Sequence, residues 1–140
     1  MFTRFNEERA FELLADQRVG RLGCITETGP YIVPINYYFA DGCVYSHSLP
    51  GIKISSLRND PRACLQVDQI ESDIRWRSVL AFGTYEEVVT PTQRGDILNR
   101  LLQRFPMLTP VESTLADDGG SLSVIVFRIK IERVTGIAEE

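Results

Sequence analysis

The chain has 140 residues, 44% of them hydrophobic, and its 15 Lys and Arg against 19 Asp and Glu give a formal net charge of −4. That length suits one domain with a core of its own, and 10 glycines and 7 prolines exclude fibrous and low-complexity classes. The acidic balance argues against a nucleic-acid binder, which shows a basic face, although a single basic pocket for a small anion can sit on an acidic protein. No apolar run approaches the roughly 20 residues needed to span a bilayer. Cys24, Cys43 and Cys64 form no CxxC pair and no cluster with the single histidine, so no metal site is expected. Their odd number and the lack of a signal peptide point to the cytoplasm with reduced thiols. Each cysteine is expected to serve as a small apolar filler in a strand.

In chain order, residues 7–17 read as a helix, with Asn6 as its cap and Glu7 and Glu8 at the positive end of the helix dipole. Gly20 is expected to mark a break. Residues 21–27 and 31–39 read as two strands about a Thr28-Gly29-Pro30 turn. Pro34, lacking an N–H, belongs at an edge or a bulge. Asp41-Gly42 is a hairpin signal leading into a strand over 43–47. A Pro-Gly turn and a short helix stopped by Pro61 follow within 48–61. Residues 62–69 read as a strand and 69–73 as a loop. A long strand over about 75–89 follows, in which Gly83 suggests a bend or bulge. Thr90, Pro91 and Gln93 read as a capping box with proline at the first helical position. Ile97, Leu98, Leu101, Leu102 and Phe105 on one face make 91–105 a helix. A loop over 106–121, with a mobile tip at Asp117-Asp118-Gly119-Gly120, leads to a last strand over 122–135. Six strands joined by short turns, with helices outside, predict a mainly β protein: a small antiparallel barrel in one domain over 1–140.

Searches for nucleophile and phosphate-loop motifs fail, which directs attention to a bound cofactor that brings its own reactivity. Three stretches can carry one. In 45–53 (Tyr45 to Lys53), His47 ends a strand with Ser46 and Ser48 flanking it, and Lys53, one of two lysines, follows a tight Pro-Gly turn near the start of a short helix. Hydroxyls, a cation and helix-start N–H groups from one loop are what a phosphate requires. Arg58 and Arg62 make 53–62 the most basic stretch. The alternative is a solvated turn and a surface helix. Trp76, Arg77 and Ser78 open the long strand, where Trp76 can shield a flat ring and Ser78 can bond its polar edge, or Trp76 can simply cap the core. In 33–37, Pro34 interrupts the ladder where a planar ligand could meet the backbone, and Asn36 can both donate and accept. The alternative there is an edge strand that proline protects from aggregation.

Together, GRLGCITETGPYIVPINYYF (20–39), GCVYSHSLPGIKISSLRNDPRACLQVD (42–68), WRSVLAFGTYEEV (76–88) and VFRIKIERVTG (126–136) resemble the FMN-binding split-barrel family related to pyridoxamine 5′-phosphate oxidase. Within it they are most similar to the branch of nitroimidazole-resistance proteins. The resemblance implies a six-stranded antiparallel split barrel and a homodimer with FMN at the subunit interface. It implies that Pro34, Ile35 and Asn36 run beside the isoalloxazine ring. Tyr45, Ser46, His47 and Ser48 would lie near the ring and ribityl phosphate, and Lys53 would bind the phosphate. Trp76 and Ser78 would meet the flavin edge, from the partner subunit if the interface is shared. His47 matches a histidine over the flavin site and is the candidate catalytic residue.

Two departures narrow the function. The oxidase proper carries basic residues in the strand read as 31–36, where this chain has Tyr31 and Asn36. It also ends in an Arg-rich substrate segment with a Trp, whereas this chain ends TGIAEE. Vitamin B6 oxidase activity is therefore not expected. The expected function is a flavin-dependent oxidoreductase passing electrons from a nicotinamide to a small planar acceptor of nitro or quinone type. The alternative is a non-catalytic module for flavin, deazaflavin or haem, with His47 as the axial ligand. A third reading is a scaffold dimer with an empty site.

Overall fold

The computed structural model describes residues 1–106 and 124–140. The element order is β1 (Phe2–Phe5), α1 (Glu7–Asp16), β2 (Val19–Thr26), β3 (Gly29–Asn36), β4 (Tyr38–Ala40), β5 (Cys43–Ser48), α2 (Ile52–Asn59), β6 (Arg62–Ser72), β7 (Arg75–Glu87), α3 (Pro91–Arg104) and β8 (Ile125–Glu139). One antiparallel sheet runs β3-β2-β6-β7-β8-β5-β4, and β1 pairs with the far end of β8. The fold is mainly β with flanking helices, as expected for a split barrel. It has eight strands rather than six, and the sheet does not close.

The two extra strands have identifiable causes. β1 pairs with Gly136–Glu139, where β8 outruns its expected end at 135. The run 31–39 divides at Tyr37, which leaves the ladder, turns into the core and donates its hydroxyl to the Leu14 carbonyl at 2.5 Å. Gly20 is not a break. It lies inside β2, where an added Cβ would come within 2.8 Å of Leu65 Cδ1. The polar stretch 69–73 is mostly strand as well, because β6 continues to Ser72 against β7, with a bulge between Ile70 and Ser72. Backbone pairing, not hydropathy, extends that hairpin. Thr90 stands at the N-cap of α3 but its side chain makes no capping bond, so the box with Gln93 does not form. Pro91 and the buried Ile97, Leu98 and Leu101 hold the helix instead. The expected tip at 117–120, and the start of the last strand at 122–123, lie outside the described residues.

Other expectations hold. Asn6 accepts from the Arg9 N–H at 3.0 Å. Asp41 and Gly42 both take positive φ, at 52° and 76°, which is the twist a two-residue hairpin turn needs. Pro34 lies in β3, an edge strand. The sheet wraps a core of Leu14, Leu22, Leu65, Val67, Val79 and Phe127, and a second cluster sits under α3. All three cysteines are free; Cys24 and Cys43 are buried. Among the described residues no helix is long and apolar enough to cross a membrane.

The β7–β8 ladder shifts register at Gly83. Phe82 pairs with Arg133 but Gly83 with Ile131, leaving Glu132 as the extra residue of a bulge. A Cβ on Gly83 would stand 2.1 Å from the Lys130 carbonyl oxygen. Gly83→Ala must displace backbone and is expected to cost more than about 2 kcal/mol in urea unfolding, in line with overpacked cores. Gly95→Ala, in α3 with nothing near the added methyl, should instead be neutral or stabilise by up to about 1 kcal/mol. Equal effects of the two would refute the close-approach explanation.

Candidate functional site

The site lies where the two ends of the sheet come back towards each other. The last residue of β3, Asn36, lends its carbonyl to the buried Ser46 hydroxyl of β5 at 2.6 Å. This bond joins strands that share no ladder. Beyond it, Pro34, Ile35, Asn36, His47, Ser48, Leu49 and Lys53 line a groove of roughly 300 Å³. Three separate stretches of chain supply these residues: β3, the end of β5, and the first turn of α2.

Each contributor has a structural reason to be there. Alternation on β3 buries Ile35 and leaves Pro34 and Asn36 exposed on the outer sheet face. Both ring nitrogens of His47 are out of solvent. The Ser48 hydroxyl donates to the Leu49 carbonyl at 2.8 Å and, as a hydroxyl, keeps its lone pairs as acceptors. Lys53 stands in the first turn of α2, whose Ile54 and Leu57 are buried in the main core. Its charge reaches the thiol of Cys24, which burial pushes up and Lys53 pulls back down.

Tyr45, Trp76 and Ser78 do not join the groove within one chain. Tyr45 stacks on Tyr38 at 5.0 Å beneath α3. Trp76 meets the exposed Phe2 edge-on at 6.0 Å near the β6–β7 tip, so it does not cap the core. Ser78 accepts from Gln66 Nε2 at 3.0 Å on the outer sheet face. Arg58 and Arg62, counted with Lys53 as one basic stretch, are neutralised elsewhere. Arg58 forks onto Glu87 at 2.5 and 3.2 Å. Arg62 bonds Asp60 at 2.7 and 3.0 Å. Of these three cations, Lys53 alone lines the groove.

Sequence reasoning missed Leu49, and it missed Arg21, Gln66 and Asp68 on the outer face. Arg21 lies opposite Pro34 on one side and Gln66 on the other. Its signal was the alternation of Gly20, Arg21 and Leu22, but a residue's neighbour across a sheet cannot be read from one strand. Among the described residues no group of three His, Cys, Asp or Glu could hold a metal.

The model of the family described as pyridoxamine 5′-phosphate oxidase matches residues 6–138. The chain belongs to this family. It is 31% identical to an uncharacterised protein of Rhizobium meliloti (strain 1021), over 99% of this chain and 96% of that one. It is similar to the crystal structure of a FAD-binding protein of Mesorhizobium loti, with 34% identity, a TM-score of 0.73, and 100% and 99% of the two chains covered. A proposed 5-nitroimidazole antibiotic resistance protein of Bacteroides thetaiotaomicron shares the fold at a TM-score of 0.79, with 18% identity over 99% and 87% of the chains.

The Arg58–Glu87 ion pair, which ties α2 to β7, can be tested through its titration. Arg58 holds the Glu87 carboxyl below its ordinary 4.5, helped by the Tyr85 hydroxyl and opposed by burial. A carboxylate with a lowered folded pKa stabilises fully above its unfolded pKa, and that contribution fades as pH falls through the folded value. Stability should therefore decline below about pH 4.5, and Glu87→Gln should flatten part of that decline. For a solvent-exposed pair the difference at neutral pH is small. Denaturant melts at pH 7 and pH 3.5 measure it; parallel pH profiles for both proteins would refute the role of the Arg58–Glu87 pair.

Proposed function

We propose that the chain is a flavoprotein whose groove takes the flavin mononucleotide part of FMN or FAD, and that it works as an oxidoreductase. The observation that carries this reading is the convergence of Pro34, Ile35, Asn36, His47, Ser48 and Lys53 on one groove. The donor set fits the group. Lys53, the Ser48 hydroxyl and the N–H groups opening α2 suit a phosphate. Asn36 offers both donor and acceptor to a polar ring edge, and Pro34 and Ile35 give that edge an apolar border. The FAD-binding relative at 34% identity supports a flavin.

When bound, a flavin supplies hydride acceptance and donation. The protein's own work is to bind and orient. Lys53 neutralises phosphate charge from a helix fixed by Ile54, Leu57 and the Arg58–Glu87 fork. Ser46 locks Asn36 by holding its carbonyl. His47, half-buried at the end of β5, is the candidate group to hold or pass a proton. A nicotinamide as reductant and a nitro compound or quinone as acceptor complete the reading. The protein is expected to come off purification yellow, and mass spectrometry of the released ligand distinguishes FMN, FAD, deazaflavin and haem. Lys53→Ala should weaken flavin binding about 10- to 100-fold, the range for a charge-assisted bond. Colourless protein that takes up no added flavin would overturn the proposal.

The site is proposed to be completed in a homodimer. The outer sheet face beside Pro34 and Asn36 exposes Val19 (51%), Ile25 (41%), Ile32 (70%) and Leu80 (37%). Alternation and register put all four on the side that carries Ser78. Exposed apolar side chains gathered on one sheet face around a polar network suit an interaction surface. Ile32→Glu is expected to give monomer in sedimentation analysis and to lose flavin together with the partner. A monomeric wild type would refute the dimer and leave the groove assignment standing.

A further inference from the structure

The strand that borders the groove has no cation of its own, since β3 reads Gly-Pro-Tyr-Ile-Val-Pro-Ile-Asn. Its neighbour provides one. Arg21 of β2 lies opposite Pro34 in the ladder, on the same outer face as Pro34 and Asn36. Its Nη1 donates to Gln66 Oε1 at 3.2 Å and to Asp68 Oδ2 at 3.0 Å. Gln66 Nε2 in turn donates to Asp68 Oδ2 and to Ser78 Oγ, both at 3.0 Å. The network crosses β2, β6 and β7 and ends on the serine matched to the flavin edge.

Stability does not explain this arrangement. An ion pair at a half-open surface contributes little, yet here four polar side chains stand at matched rungs of three strands. What the network achieves is orientation. Both bonds leave from Nη1, and 52% of the Arg21 side chain stays open to solvent, against 22% of its partner Asp68. Arg21 is therefore fixed at one end and available at the other. A planar guanidinium presented this way suits a planar anionic edge.

We propose that Arg21 is the residue that favours the reduced flavin over the oxidised one. The inference rests on the flavin reading above. Hydride from a nicotinamide adds two electrons and one proton to the neutral oxidised ring, and the product carries one negative charge at its N1–C2=O edge. Arg21, held by Asp68 and Gln66, stabilises that charge, and so sets the potential. The oxidised ring carries no such charge and gains less from it.

The test compares wild type, Arg21→Gln and Arg21→Lys, each loaded with FMN, by midpoint potential and by affinity for oxidised and dithionite-reduced FMN. Arg21→Gln is expected to bind reduced FMN about tenfold more weakly relative to oxidised FMN, which lowers the midpoint potential by about 30 mV for a two-electron couple. Arg21→Lys keeps the charge without the planar fork and should fall between the two, and it carries the test if Arg21→Gln does not fold. A purely structural role would shift the thermal midpoint and leave the potential unchanged. If wild type binds FMN and both variants keep its potential and its ratio of affinities, the assignment of Arg21 is wrong and the flavin reading stands. If wild type binds no flavin in either redox state, the flavin reading fails and takes this assignment with it.

Discussion

The close passage of β7 over β8 at Gly83 sets the shape on which the rest depends. These are the longest strands, and their pairing spans Trp76 to Glu87 on one side and Phe127 to Glu139 on the other. A flat ladder of that length would hold β5 and β3 at opposite ends of an open sheet. The bulge at Glu132 increases the local twist, and the absence of a side chain at Gly83 lets the Lys130 backbone come close. The sheet curls, and β5 returns beside the end of β3. Only then can the Ser46 hydroxyl reach the Asn36 carbonyl and the groove open beyond it.

Much of this was legible in the chain, because the signals involved are local. The Asp41-Gly42 turn, the Pro91 helix start, the apolar face of α3 and the proline that confines β3 to an edge each follow from a few adjacent residues. The misreadings have a common cause. Gly20 and Tyr37 are placed by residues far along the sequence, Leu65 and Leu14 respectively. The polar end of β6 is a strand because β7 stands opposite it. In each case the tertiary partner outweighed the local preference.

The site divides along the same line. Pro34 through Asn36, His47, Ser48 and Lys53 come from short contiguous stretches, and these meet in the groove. Tyr45 shares its strand with His47 but is claimed by the aromatic stack with Tyr38. Trp76 lies at the β6–β7 tip against Phe2, and Ser78 lies on the outer face bonded to Gln66, outside the groove. No rule of spacing separates these cases, because the choice depends on which neighbour each side chain finds after the sheet has curled.

Charge is where sequence intuition was least reliable. Lys53, Arg58 and Arg62 look like one basic stretch, yet Arg58 turns to Glu87, Arg62 turns to Asp60, and Lys53 lines the groove. A run of like charges along a helix and its exit does not add up to a field at one point, because 3.6 residues per turn and the following strand aim the side chains differently. Conversely, Arg21 stands alone in a strand that reads as ordinary alternation. The ladder sets it beside Pro34, and the Gln66–Asp68–Ser78 chain fixes its head. A basic residue absent from the bordering strand can thus be supplied one strand over, at the same face and nearly the same height, since neighbouring strands lie only about 4.8 Å apart. The lack of a cation in 31–36 therefore does not leave the face beside Pro34 without one, since Arg21 stands there in its ion pair with Asp68.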